Sequence, residues 1–396
     1  MKAKSWSFKA FLATQNWTAL AILLVLVVAV SAPIYYRRIL VPPADTDYGA
    51  HIQYTMQFLH RQPIPPHAMS HPFLQWCVGF IYWISRNRIG LWESMIIVLV
   101  AAQAATAVVF YFWLGKLAGQ LSELWRVFWS LTITLVAPVM LLAPLDGFFY
   151  FGYIGLASYH NPTVHILRPL ALLSFMLVLR AFEEQKSAWG WVALSALTII
   201  FSALAKQNYL MSILPALACL AALRWLQKAP VDSRMLLGGA IIPGMVVLSL
   251  LAFVLYNSPE ADSSGIVFAP FKVESAFSDH LLWKFLLSAL FPLALLAVDL
   301  RRVISTPALQ LAWIAFLGGA AQNYLLAEND AREMHANFRW SAQITLFLLF
   351  AASIRYFARA LPTDWKARAG VWAAYLAHLA GGIVYYVYCF TQAGYG

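Results

Sequence analysis

Stretches of apolar sequence about as long as a bilayer is thick dominate this chain. They run near 17–35, 91–114, 124–143, 165–182, 188–204, 207–225, 235–256, 281–298, 308–326, 337–355 and 370–391. A helix needs roughly 20 apolar residues to cross the hydrocarbon layer, and a backbone in lipid must satisfy its own polar groups. The pattern therefore predicts an all-α integral membrane protein of about eleven transmembrane helices. It reads as a single transmembrane domain over 1–396 with no soluble domain. Composition agrees, since 62% of the residues are hydrophobic and only 11% charged, against about 25% charged in soluble domains. The first run, 17–34, is long for a secretory leader and reads as a retained first helix.

The formal net charge of +10 would point to nucleic acid in a soluble protein. Here the Lys and Arg fall in short runs between apolar stretches, which is topogenic charge, so no nucleic-acid partner is expected. One further apolar run, HPFLQWCVGFIYWI at 71–84, is short for a crossing. If it does not span and the N-terminus is cytoplasmic, 16 of the 27 Lys and Arg lie inside; if it spans, only 11 do. The positive-inside rule favours the first arrangement. Residues 36–90 then form an external loop carrying two amphipathic surface helices. Cys77, Cys219 and Cys389 lie far apart in apolar surroundings, without metal-ligand spacing, and read as buried small hydrophobes.

Polar residues gather on the outer side. PPADTDYGAH, 42–51, ends the first long segment with two prolines. It then opens a helix in which Tyr48, Ile52, Met56 and Leu59 recur at helical spacing. Asp45 falls where an N-cap would, and Asp47 in the first turn, where the helix dipole favours a negative charge. Both could be capping alone; otherwise one caps and one works, because residues two apart on a helix point away from each other. The loop AENDAREMHANFRW, 327–340, crowds Glu328, Asp330, Arg332, Glu333, His335, Asn337 and Arg339 into a short turn. Its arginines suit an anionic headgroup, because a guanidinium fork matches phosphate oxygens, although flanking arginines also snorkel. A third group, ASYHNPTVHILRPLALL, 157–173, brings His160, Asn161, His165 and Arg168 to the start of a span, and Lys206 is similarly placed in ALAKQNY. Arg168 sits a little inside an apolar helix, a costly place unless it is partnered or faces water. Eight of the nine histidines, all but His378, map to external loops or helix ends.

The order of these features is similar to that of the GT-C superfamily of membrane glycosyltransferases, which includes protein O-mannosyltransferases and aminoarabinose transferases acting on lipid A. DYGAHIQYTMQFLHRQPIP, with His51, resembles the acidic opening of the family's first external helix. His71-Pro72 then resembles its proline-led apolar helix. The likeness covers the first 115 residues, with Tyr48 where a typical member has Glu; YHNP, LAKQNYL and HANFRW resemble small bacterial polysaccharide-type members. The resemblance implies a GT-C-like fold in a bacterial inner membrane, with the N-terminus cytoplasmic and the site on the periplasmic face. It implies a polyprenyl-phosphate-linked sugar donor and a lipid, glycan or protein acceptor among the membrane lipids. On this match Asp47 takes the catalytic position, with Asp45 second.

That chemistry fits the residues. The acceptor hydroxyl must lose a proton to a carboxylate, and cations such as Arg332, Arg339, Arg168 or Lys206 would stabilise the leaving phosphate. The substrate-binding candidates are therefore Arg332, Arg339, His335, Lys206, Arg168, His160, Asn161, His51 and His71. A monophosphate leaving group needs no metal where fixed cations serve, while Asp45 and Asp47 offer hard oxygen ligands for Mg or Mn. A multi-pass transporter or lipid-linked-sugar flippase is the competing reading, but such sites lie near the midplane and here the polar residues gather on one face.

Overall fold

Asn16 starts the first helix: its side-chain oxygen takes the N–H of Ala19 at 3.0 Å, satisfying one of the donors a helix leaves open at its N-terminus. From there helix follows helix. The computed structural model describes residues 15–41, 47–115, 121–157, 159–183, 186–256, 265–360 and 364–392. Asp45 lies outside them, as do the side chains of Asp330 and Arg332. The principal helices are α1 (Trp17–Leu40), α2 (Asp47–Leu59), α3 (Phe73–Ile84), α4 (Leu91–Gly115), α5 (Glu123–Thr132), α6 (Pro162–Val178) and α7 (Trp189–Ala205). They continue with α8 (Asn208–Leu226), α9 (Ile242–Tyr256, entered through the π-helical Arg234–Ile241), α10 (Leu281–Ser288), α11 (Leu290–Val298), α12 (Pro307–Leu325), α13 (Arg339–Arg359) and α14 (Trp365–Thr391). Strands β1 (Ile266–Phe268) and β2 (Leu326–Glu328) pair antiparallel, Ile266 opposite Glu328.

Among the described residues, seven helices are long and apolar enough to cross a membrane; α10 and α11, bent by 70° at their junction, make an eighth if they form one span. The sequence expectation of eleven adds three segments. α7 has 17 residues, and α12 carries Gln310, Gln322 and Asn323 along its length. The run expected as a helix over 124–143 is helical only from Glu123 to Thr132.

Tertiary partners take over where that helix stops. The N–H of Ala137 donates to the carbonyl of His378 at 3.2 Å and that of Val139 to Leu287 at 3.2 Å. Pro138 has no N–H to place. Gly381 and Gly382 of α14 let this backbone approach so closely that a Cβ on either would strike the carbonyls of Pro138 and Leu135. His378 serves both breaks: its Nδ1 donates to the Ala137 carbonyl at 2.7 Å, while Nε2 accepts the N–H of Phe291, just past the bend between α10 and α11, at 3.3 Å. Non-helical backbone at such depth is tolerated only where protein buries it.

At the centre stands α13, buried at every residue from Arg339 to Ile354, as expected of a helix surrounded by others. α12 packs closely along it because Gly319 has no side chain to meet the Ser341 backbone. Between α1 and α4, α2 and α3 pack on each other, with Gly79 lying against Leu59 and Thr55. The buried stripe of α2 is Tyr48, His51, Ile52 and Thr55, whereas Met56, expected on that face, is exposed. At 12 residues α3 is about 18 Å long, short of a crossing.

Candidate functional site

One end of the helix bundle encloses a cleft of about 390 Å³, reached by Asp47, His51, His71, Asn161, Lys206, Glu328 and His335. Its construction begins with α2. The Tyr48 hydroxyl donates to the Tyr159 carbonyl at 2.6 Å, tying the first turn of α2 to the loop that enters α6. Asn161 is the N-cap of α6. Its Oδ1 accepts the Thr163 hydroxyl at 2.7 Å and the Val164 N–H at 3.3 Å. With the oxygen committed, Nδ2 is left to donate, and it meets Asp47 Oδ2 at 3.1 Å. The Thr163 hydroxyl in turn accepts Lys206 Nζ at 3.1 Å. A directed chain thus runs from the ammonium through Thr163 and Asn161 to the carboxylate, each bond polarising the next. Lys206 follows α7 in extended backbone, with Nζ 5.0 Å from the centre of the Trp340 ring.

Burial raises the Asp47 carboxyl above its ordinary range, opposed by the Lys206 charge, the Asn161 hydrogen bond and His335. The same burial lowers Lys206 to about 8, opposed by the charges of Asp47 and Glu328. Lys206 therefore remains mostly an ammonium near neutral pH, and its charge favours the ionised form of Asp47. Glu328, the last residue of β2, is a second carboxylate in the cleft. Asn337 Nδ2 donates to its Oε2 at 2.5 Å, and the Asn337 carbonyl accepts Asn208 Nδ2 at 2.9 Å. Neither Glu328 nor Thr163 was a candidate from sequence. An acid in a crowded external loop was the available signal for Glu328; nothing marked Thr163.

The histidines on the cleft are held by polar neighbours. The Gln75 amide, oriented so that its nitrogen donates to the carbonyls of His71 at 3.2 Å and Pro72 at 3.1 Å, accepts His51 Nδ1 at 3.0 Å. Burial, with Lys206 and His67 adding to it, pushes His51 down to about 3, so its ring is neutral with Nε2 unprotonated. His71 Nδ1 lies 3.1 Å from the Ser70 hydroxyl, and the Tyr54 hydroxyl 3.0 Å from His67 Nε2.

Other candidates are placed elsewhere. Arg339 is buried and grips Glu274 through Nε at 3.1 Å and Nη2 at 2.9 Å, with its guanidinium 4.9 Å from the Phe151 ring. It does not line the cleft, because an acid from the segment before α10 has claimed its fork. Arg168 is buried inside α6, away from the cleft. His160 packs against Tyr150 at 5.0 Å and Trp340 at 5.6 Å, and burial holds it down to about 3. Arg332 and Asp45 fall among what is not described. Of the pair offered for Mg or Mn only Asp47 can therefore be placed, and no three His, Cys, Asp or Glu among the described residues converge to hold a metal.

No protein-family model and no curated protein sequence matches the chain. Solved structures do. The chain is similar to the archaeal oligosaccharyltransferase AglB from Archaeoglobus fulgidus in complex with an inhibitory peptide and a dolichol-phosphate: the TM-score is 0.50 at 12% identity, over 98% of this chain and 57% of that one. A second structure of the Archaeoglobus fulgidus oligosaccharyltransferase, tethered to an acceptor peptide containing the NVT sequon, gives 0.46 at 10% identity over 99% and 56%. The chain spans somewhat more than half the length of these proteins. Its many apolar helices and this likeness together make it an all-α integral membrane protein with a GT-C-like fold.

Proposed function

We propose that the protein is a membrane glycosyltransferase that moves a sugar from a polyprenyl-phosphate donor to a lipid, glycan or protein acceptor on the external face, with inversion. The observation that carries this reading is the bridged pair of Asp47 and Lys206 on one cleft. Asp47 takes the proton from the acceptor hydroxyl, whose oxygen attacks the anomeric carbon from the face opposite the phosphate. The bond from that carbon to the phosphate oxygen breaks, and its electron pair leaves with the phosphate. Lys206 stabilises the charge that develops there. His335 and His71 line the approach as hydrogen-bonding groups, His51 contributes a neutral ring, and Arg332 is retained as a phosphate partner on its place in the loop. No step is routed through a metal.

The return of the chain to one opening supports the orientation. Asp47, Asn161, Lys206 and Glu328 line the same cleft, so the chain crosses the membrane an even number of times between each. α4 is then answered by α5 with the segment 133–142, buried for most of its length, α6 by α7, α8 by α9, and the bent α10–α11 pair by α12. Four such pairs with α1, α13 and α14 give eleven crossings. Arg38 at the end of α1 reaches the carbonyl of Gln392, just past α14, at 3.2 Å, as two outward-running helices require. The positive-inside count favours the cleft on the external face, which in this reading is the periplasmic side of a bacterial inner membrane.

The test is transfer of label from radiolabelled polyprenyl-phosphate sugars, by purified protein, to acceptors in a membrane extract. Transfer by the native protein and its loss in Asp47→Asn are expected. Movement of labelled lipid across a vesicle membrane without transfer would replace the enzyme with a carrier.

A further inference from the structure

Arg168 is a buried cation, 1% exposed, in the part of α6 that runs through the membrane. Its Nε and Nη2 donate to no protein atom among the described residues. Phe347 of α13 lies 5.5 Å from the guanidinium, and the titratable groups acting on it are Tyr35, Tyr159 and Tyr150, with no carboxylate among them. A lone charge taken out of water costs several kcal/mol, and a cation over an aromatic ring returns on the order of 2 kcal/mol when desolvated. Arg339 shows how this chain settles the same cost when it has an acid to offer, since Glu274 takes both of its donating nitrogens. Among the described residues no acid answers Arg168.

The neighbours add donors. The buried Tyr159 hydroxyl has no hydrogen-bond partner among the described residues. The Tyr35 oxygen accepts Gln103 Nε2 at 3.2 Å, which leaves its own hydrogen to be placed. The two tyrosine rings lie 6.5 Å apart. Against these donors stand two buried atoms that can accept, Gln103 Oε1 and His165 Nδ1, the His165 ring lying 5.3 Å from that of Tyr35 and 6.1 Å from that of Tyr159. These are fewer acceptors than the hydrogens of the guanidinium and two hydroxyls. A water molecule brings as many hydrogens as lone pairs and would leave the excess standing. An anion brings acceptors only, and it also neutralises the charge.

We propose that Arg168, with the hydroxyls of Tyr35 and Tyr159, forms a buried site for a compact anion, separate from the cleft and joining α1, α6 and α13. The ligand is either a halide from solution or the phosphate oxygens of a lipid headgroup; both present a small negative acceptor to the same donors. Its binding neutralises the charge inside α6 and stabilises the packing of the three helices. This site stands apart from the glycosyltransferase reading and survives the failure of that reading.

The experiment uses the purified full chain in detergent and requires no enzymatic activity. Its thermal midpoint is measured in sodium chloride, sodium bromide and sodium gluconate at constant ionic strength, and bromide is located by anomalous scattering in crystals. The expected result is a midpoint several degrees higher in chloride or bromide than in gluconate, with bromide beside Arg168. Arg168→Gln should abolish the difference. If that variant does not fold, Tyr159→Phe, which removes one donor and no charge, should shift the halide dependence to several-fold higher concentration. Loss of the bromide signal on adding polyprenyl phosphate would support the site and assign it to the lipid source. Equal midpoints in all three salts with no bromide at Arg168, before and after thorough delipidation, would overturn the proposal and leave the donors to water.

Discussion

Lys206 offers the sharpest test of the proposed chemistry, because its charge is expected to disappear within an accessible pH range. Burial lowers its ammonium to about 8. As pH rises through that value the proton leaves and the leaving phosphate loses its counter-charge. A group titrating at about 8 is roughly nine-tenths protonated at pH 7 and roughly one-tenth at pH 9, so turnover should fall about tenfold over those two units. Lys206→Arg keeps a charge that does not titrate there and should hold a flat profile through pH 9, at a lower level because the fork does not reproduce the bond to Thr163. Lys206→Met should be slower at every pH by about a hundredfold or more, the scale of losing one preorganised charge-stabilising donor, with no alkaline fall. Initial rates of label transfer at saturating donor, with the thermal midpoint followed at each pH, separate turnover from unfolding. An alkaline fall that persists unchanged in Lys206→Met would refute the assignment.

Asp47→Asn should lower turnover about a hundredfold or more while leaving the thermal midpoint intact, since an amide still tolerates the first turn of α2; Asp45→Asn should be mild, and severe loss in both with inhibition by chelators would assign the pair to a cation instead. Thr163→Val removes the bridge between Lys206 and Asn161 and should cost about tenfold in turnover with little change in donor KM, restored by Thr163→Ser, because losing the bond that orients a working side chain typically costs about 10- to 100-fold. Arg339→Ala leaves Glu274 buried and unpaired and should lower stability by about 3–5 kcal/mol, seen as a fall in thermal midpoint, whereas an unchanged midpoint with weaker donor binding would return Arg339 to the substrate.

The long helices were legible because hydropathy over a window reports a property that a bilayer selects. The breaks were not. Whether the chain stays helical past Thr132 or turns at Ala289 depends on His378, which sits far along the sequence and whose two ring nitrogens serve both breaks. An average over residue types cannot register such a partner. At the site, Asp47, Asn161 and Lys206 were visible as polar residues at the ends of apolar runs, where water or a ligand must meet them. Arg339 was visible in the same way and differs only in its direction, fixed by a glutamate 65 residues away. Sequence places a charge near a boundary, and the fold decides whether protein or substrate answers it.

The two carboxylates of the cleft illustrate how that decision is made without cancelling their charge. Asp47 is oriented by Asn161 and Glu328 by Asn337; the Asn161 side-chain oxygen is engaged by the start of α6, and Asn337 is tied through its main-chain carbonyl to Asn208. An arginine in either place would hold the carboxylate as firmly but would depress its basicity. An amide fixes direction and leaves the negative charge to be balanced by Lys206, which feels both acids. The ammonium's own bond goes to Thr163, so its attraction to Asp47 is exerted without a bond between them, through the chain of Thr163 and Asn161. In the proposed reaction, a base that accepts a proton and a cation that meets a leaving anion require that they remain distinct groups.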